Sequence, residues 1–226
     1  MNRKEIIARF REENPEITKS VASDSVLESW AEVGDKEICA RVRLVKGQKT
    51  FSSAVGIDAY NLSVKIPKFY DIDEYPGGGV AYDNDRLRLE TVASLDERRE
   101  NWRDASNGTP FDYYRRGPDV VLGRKPDAIK DIEIYTVLVS DDFDDDSKLP
   151  FNQLSYLEPF HYSLVLYLKM RVFMGKVKKK DPAAMAKLEY EDYVKWMKNE
   201  VDRGIYTAIQ IRPPTNYRGR SRYWTR

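Results

Sequence analysis

Residues 156–174 read YLEPFHYSLVLYLKMRVFM, an apolar stretch with a helical period. Leu157, Phe160, Leu164, Val165, Leu168 and Val172 fall on one side, while Tyr156, Tyr162, Tyr167, Met170 and Phe173 widen the apolar surface. A helix apolar on more than one side has to be enclosed by other elements. Pro159 suits its first turn. The following segment offers one such partner. Asp181 at the N-cap, Pro182 at N1 and Gly204 past the end punctuate a helix whose face is Met185, Leu188, Tyr193, Trp196, Met197 and Val201. The N-terminal end of the chain offers two more. One runs from Glu5 to Glu13, with Ile6, Ile7 and Phe10 as its apolar face and Asn14-Pro15 as its stop. The other begins at Ser23 or Asp24 and presents Val26, Leu27, Trp30, Val33, Ile38 and Val42, with Gly34 as a weak point costing ~1 kcal/mol relative to Ala.

Between these helical ends the period changes. Residues 49–55 and 60–66 alternate apolar and polar side chains as half-buried strands do, and Arg86-Leu87-Arg88-Leu89 alternates again. Ser94-Leu95-Asp96-Glu97 reads as a capped helix start with Trp102 as an anchor toward the core. Strands are predicted over 111–114, 120–123 and 132–139, and Gly77-Gly78-Gly79 reads as a flexible connection. The prediction is an α+β protein: a helical bundle core formed by N- and C-terminal helices, with an antiparallel β-rich insertion and an extended C-terminal tail. Its segments are 1–47 (N-terminal helices), 48–140 (β-rich insertion), 141–204 (acidic connector and C-terminal core helices) and 205–226 (tail).

Composition narrows the function classes. The 226 residues hold 38 Lys plus Arg against 37 Asp plus Glu, which argues against a protein that coats nucleic acid. Fifteen Tyr, eight Phe and four Trp argue against a disordered chain despite a mean hydropathy of −0.65. Cys39 stands alone, so neither an intrachain disulfide nor a cysteine metal site can form, as suits a reducing cytoplasm. The first residues lack the apolar run of a signal peptide, and no window approaches the ~18 apolar residues of a membrane span.

Catalytic signals are sparse. His161 is the sole histidine and reads as a satisfied helix residue; Cys39 reads as a small core residue. The three glycines at 77–79 lack the lysine and helix start that a phosphate cradle needs. Asp141, Asp142, Asp144, Asp145 and Asp146 form the strongest metal candidate. Counted from Asp142, a calcium loop would have Ser147 where glycine belongs and Gln153 where the bidentate glutamate belongs. The cluster therefore reads as a solvated connector or a contact for a basic partner, with no metal and no cofactor assigned. A metal-dependent hydrolase built on these aspartates is the enzymatic alternative.

Charge is unevenly spread. Residues 1–204 carry a formal −4, while the last 22 carry +5 from Arg212, Arg218, Arg220, Arg222 and Arg226, interleaved with Tyr206, Tyr217, Tyr223 and Trp224. Arginine forks and aromatic anchors are docking chemistry, and Pro213-Pro214 favours an extended segment. Acidic protein and nucleic acid are both fitting surfaces for it, so a nucleic-acid-binding module acting through the tail is a further alternative.

Several landmarks occur in an order that resembles the tail adaptors, or head-to-tail connectors, of tailed bacteriophages, especially short-tailed ones. Tyr60-Asn61-Leu62 followed by Pro67 resembles the family's entry strand, with Ser63 where proline is frequent. Gly108-Thr109-Pro110-Phe111-Asp112-Tyr113 resembles its Gly-Thr-Pro-x-x-Tyr turn and strand. Val120-Val121-Leu122 with Pro126-Asp127 resembles the next strand and turn, with Arg124 replacing a proline. Ile132-Glu133-Ile134-Tyr135 matches the strand after that, and Leu149-Pro150 with the aromatic helix resembles the start of the C-terminal helical part. The likeness spans about residues 1–204, and the broad style suits a crAss-like phage. It implies a non-enzymatic structural virion protein at the portal–tail junction, assembled in the host cytoplasm. The expected assembly is a ring, usually a dodecamer, between the portal protein and downstream tail or ring proteins. Genomic DNA would pass through its channel without sequence-specific binding, and no membrane is involved. By position, Arg212, Tyr217, Arg218, Arg220, Arg222, Tyr223, Trp224 and Arg226 would grip the portal, while the Asp141–Asp146 cluster would face a partner.

Overall fold

The computed structural model describes residues 1–74, 78–98, 102–177 and 180–203. It is α+β and divides into two compact units. The first comprises residues 1–47, 67–71 and the chain from 137 to the end of the described part; the second comprises 48–66 and 72–136.

The first unit is helical. Helix α1, Arg3–Glu13, starts in a capping box: the Asn2 side chain accepts from the Glu5 N–H at 2.9 Å, and the Glu5 carboxylate accepts from the Asn2 N–H at 2.8 Å. Its buried residues are Ile6, Ile7 and Phe10, the predicted face. Helix α2, Asp24–Val42, is capped by Ser23, whose hydroxyl accepts from the Val26 N–H. Its buried face keeps Leu27, Ile38 and Val42 of the predicted one but is turned away from Val33. Leu27, Ala31, Gly34, Asp35, Ile38, Cys39 and Val42 point inward, while Val33 is 48% exposed. Gly34 marks the true face because a large ring occupies the space beside it. A β-carbon built on Gly34 falls 2.5 Å from Cδ1 of Tyr167.

After α2 the chain turns to strands. Strand β1, Val45–Ser52, precedes β2, Ala59–Asn61, and the helical turn α3, Leu62–Lys65. The predicted strand over 60–66 therefore ends at Asn61, whose side chain accepts from the Val64 N–H at 3.1 Å and caps the turn. Strands β3, Phe69–Ile72, and β4, Val80–Tyr82, flank the glycine run and were not predicted, being too short to show alternation. Gly79 is not a flexible linker. With φ +100° it donates its N–H to Asp73 and accepts from the Tyr135 N–H, a backbone state that disfavours any side chain. Asp83 and Asn84, both at positive φ, turn β4 into β5, Asp85–Arg86. The expected single strand over 86–89 is split, since β6, Arg88–Leu89, belongs to the other sheet.

Helix α4, Val92–Arg98, begins two residues before Ser94, with the Thr91 hydroxyl accepting from the Ser94 N–H. Strands β7, Asp112–Arg116, β8, Asp119–Leu122, and β9, Asp131–Leu138, complete the sheets. One sheet has the order β1-β9-β4-β5, with β3 also paired to β9; the other has β2-β8-β7-β6. Pairing is antiparallel between β2 and β8 and between β7 and β8, but parallel between β6 and β7. Trp102 is buried, as the sequence predicts, with its ring edge-on to Tyr114 and its indole N–H donated to Asp96.

The helical unit then resumes. Helix α5, Tyr162–Val172, starts later than the predicted residue 156, because residues 155–160 wind as a tighter 3-10 turn. Pro159 lacks an N–H to donate and disfavours helical geometry at Glu158, which accounts for the delay. Leu164 to Leu168 are all buried, so α5 is enclosed as predicted. Helix α6, Lys180–Asp202, holds Pro182 in its first turn. Its buried face is Ala186, Tyr190, Val194, Met197 and Val201, whereas Met185 and Leu188 are 68% and 59% exposed. Spacings of four, four, three and four mark this face better than residue size does.

The Gly34–Tyr167 contact generates a prediction. Gly34→Ala gains about 1 kcal/mol of helix propensity, but overpacking against a buried ring costs about 1–3 kcal/mol. We expect a net loss of roughly 1 kcal/mol in urea unfolding, where an exposed helical glycine would show a gain.

Candidate functional site

The candidate site lies in the helical unit, where residues 139–149 leave β9 and return to the helices. Phe143 is 2% exposed and anchors this loop, and the Arg3 guanidinium donates to its carbonyl. The five aspartates around it point to separate partners. Asp141 pairs with Lys68, Asp142 with Lys36 of α2 at 2.9 Å, Asp144 with Lys148 at 2.5 Å, and Asp146 with Arg3 of α1 at 2.9 Å. Asp145 accepts from the N–H and hydroxyl of Ser147, closing a local turn. The Lys36 ammonium holds Asp142 below the ordinary carboxylate range, Lys148 does the same for Asp144, and the Ser147 donors for Asp145.

This divergence is what separates the loop from a calcium site. Asp142, Asp144 and Asp146 would have to converge on one ion, yet each is drawn to a different cation. Among the described residues no three His, Cys, Asp or Glu side chains are grouped to hold a metal. The paired carboxylates remain 59–67% exposed, so each ion pair contributes little to stability and leaves an acidic outer surface.

Beneath the loop is a cleft of about 340 Å³ lined by Asp35, Lys68, Asp141, Asp142, Asp144, Lys148 and Asn152 among others. Asp35 is the residue that sequence reading missed. It is 1% exposed, accepts from the Phe151 N–H at 2.7 Å, and accepts from the Ser140 hydroxyl. Burial pushes its carboxyl up to about 6, against the pull of those two donors. One signal for it was available: on a helical wheel Asp35 falls between Val42 and Cys39, on the buried face. Phe151, Asn152 and Gln153, at φ 55°, 59° and 59°, form a left-handed turn, and Asn152 accepts from the Asp141 N–H.

The remaining candidates are structural. Cys39 is buried, its thiol is pushed up to about 12 by burial, and Sγ faces the Leu138 carbonyl. The Nδ1 of His161 lies 2.7 Å from the Met1 amino group, which as an ammonium can only donate, leaving the proton on the buried Nε2. The proposed portal-gripping residues Arg212, Tyr217, Arg218, Arg220, Arg222, Tyr223, Trp224 and Arg226 lie outside the described residues.

Two predictions arise here. Calcium at millimolar concentration should leave the thermal midpoint unchanged, and Asp142→Asn should not alter that response. For His161, burial and then the Met1 ammonium lower the imidazole to about 4. The folded state keeps it neutral while the unfolded chain protonates near 6.5, so its contribution is present above pH 6.5 and lost as pH falls toward 4. His161→Gln should remove that loss, narrowing the difference in denaturant stability between pH 7 and pH 4.5 by about 1–3 kcal/mol.

Among the described residues no helix is long and apolar enough to cross a membrane. No curated protein matches the chain. A family model described as the SU10 adaptor protein matches residues 1–213, nearly the whole sequence and all of the described part. The chain belongs to the SU10 adaptor protein family, structural phage proteins of the tail and head-to-tail adaptor type.

Proposed function

We propose that this adaptor forms a ring between the capsid portal and the tail and continues the channel through which the genome leaves. Family membership over residues 1–213 carries the reading. The ring would be a dodecamer, as the resemblance to head-to-tail connectors implies. Neighbouring helical units would pack laterally, and the far rim would receive the next tail protein. A near-neutral subunit suits a channel that DNA must traverse, because a strongly basic lumen would retain the duplex through counterion release.

The C-terminal segment is the proposed portal contact. The family match ends at residue 213, so Tyr217, Arg218, Arg220, Arg222, Tyr223, Trp224 and Arg226 lie beyond it. A stretch with this chemistry outside the shared part suits recognition of one particular portal. The exposed rim of the Asp141–Asp146 loop would meet a basic neighbour, using carboxylate lone pairs left over from the in-chain pairs.

Co-sedimentation tests the proposal. Full-length protein should join assembled portal at 12 copies per portal ring, and a chain ending at residue 204 should lose at least tenfold in affinity. Equal binding by the truncated chain would overturn the role of the segment. Electron microscopy placing the protein away from the neck of the virion would overturn the ring.

A further inference from the structure

Asp35 joins two points of the chain that are eleven residues apart, Ser140 on one side of the acidic loop and Phe151 on the other. It is the one carboxylate of the cleft that makes no ion pair among the described residues. The cations around it are engaged elsewhere: Lys36, on its own helix, with Glu32 and Asp142; Lys68 with Asp141; and Lys148, from the loop, with Asp144. Of the remaining titratable groups nearby, Cys39 lies one turn along α2 and is neutral. The carboxylates Glu32, Asp141, Asp142 and Asp144 repel an additional negative charge.

An ionised carboxylate offers about four acceptor sites. Asp35 has two donors and is only 1% exposed, so as an anion it is under-solvated. The neutral acid fits the same geometry without that penalty. Its Oδ1 still accepts from the Phe151 N–H, and its Oδ2–H donates to the Ser140 oxygen, which can act either way. The turn it holds needs support, since three successive left-handed non-glycine residues are each disfavoured.

We propose that Asp35 is an acid-strengthened clasp on the base of the 140–151 loop, tight when its carboxyl is neutral and slackened when it ionises. On ionisation the proton leaves to solvent and Ser140 reverses from acceptor to donor. The consequence is a loop held more firmly at mildly acidic than at neutral pH, the opposite sense to His161. A carboxyl raised from 3.8 to about 6 contributes stability fully present below 3.8 and lost as pH rises through 6.

Asp35→Asn is the isosteric neutral form: its carbonyl accepts from Phe151 and its amide donates to Ser140. The test is amide hydrogen exchange at Phe151 in the full chain, corrected for intrinsic rates, from pH 5 to pH 8. We expect protection in the wild type to fall relative to Asp35→Asn by roughly 10-fold across that range, because the two differ only in this titration. His161 is common to both and cancels. Ser140→Ala, which removes a donor that favours the anion, should raise the carboxyl further and steepen the wild-type dependence, and it serves as the reading if Asp35→Asn does not fold. Parallel profiles for wild type and Asp35→Asn, or an unchanged dependence in Ser140→Ala, would overturn the clasp.

Discussion

The helical unit is organised by the absence of a side chain. Tyr167, on the enclosed helix α5, lays its ring where a β-carbon on Gly34 would stand, so the ring packs directly on the α2 backbone. From that contact the ring reaches Tyr190 of α6, edge-on at 5.5 Å, and its hydroxyl donates to Glu37 of α2 at 3.1 Å. Three helices thus meet at one aromatic side chain. Asp35, the neighbour of Gly34, lies on the same buried face of α2.

Legibility in the sequence followed the size of the residues involved. The enclosed helix was evident because large apolar side chains surround it, and α1 because Ile6, Ile7 and Phe10 leave no other face. In α2 and α6 the large residues misdirected the reading. Val33, Met185 and Leu188 face outward, while Ala31, Gly34 and Ala186 pack inward, since close packing rewards complementary shape as well as hydrophobicity. Strands β3 and β4 were hidden by their length. β4 is also buried at all three positions, which erases the alternation that marks a half-exposed strand.

The site was legible as a cluster and not as a geometry. Five aspartates in six positions were plain, but their cations come from Arg3, Lys36, Lys68 and Lys148, spread over almost 150 residues of sequence. No local pattern records such long-range pairing. The family was legible by another route, through the order of turn and strand landmarks, all of which lie within the matched residues 1–213. A structural adaptor carries few catalytic signals, so its sequence speaks mainly through architecture.

Cys39, described above only as core filling, has a practical consequence. Its thiol is enclosed and held protonated, and it is the sole cysteine of the chain. Thiolate is the reactive species, so the native protein presents a nearly silent background to maleimide and nitroxide reagents. A single cysteine placed on the surface of either unit would be labelled selectively without first removing the natural one. Distances between identical probes on neighbouring subunits would then report the spacing and number of copies in an assembly, directly from the unmodified core.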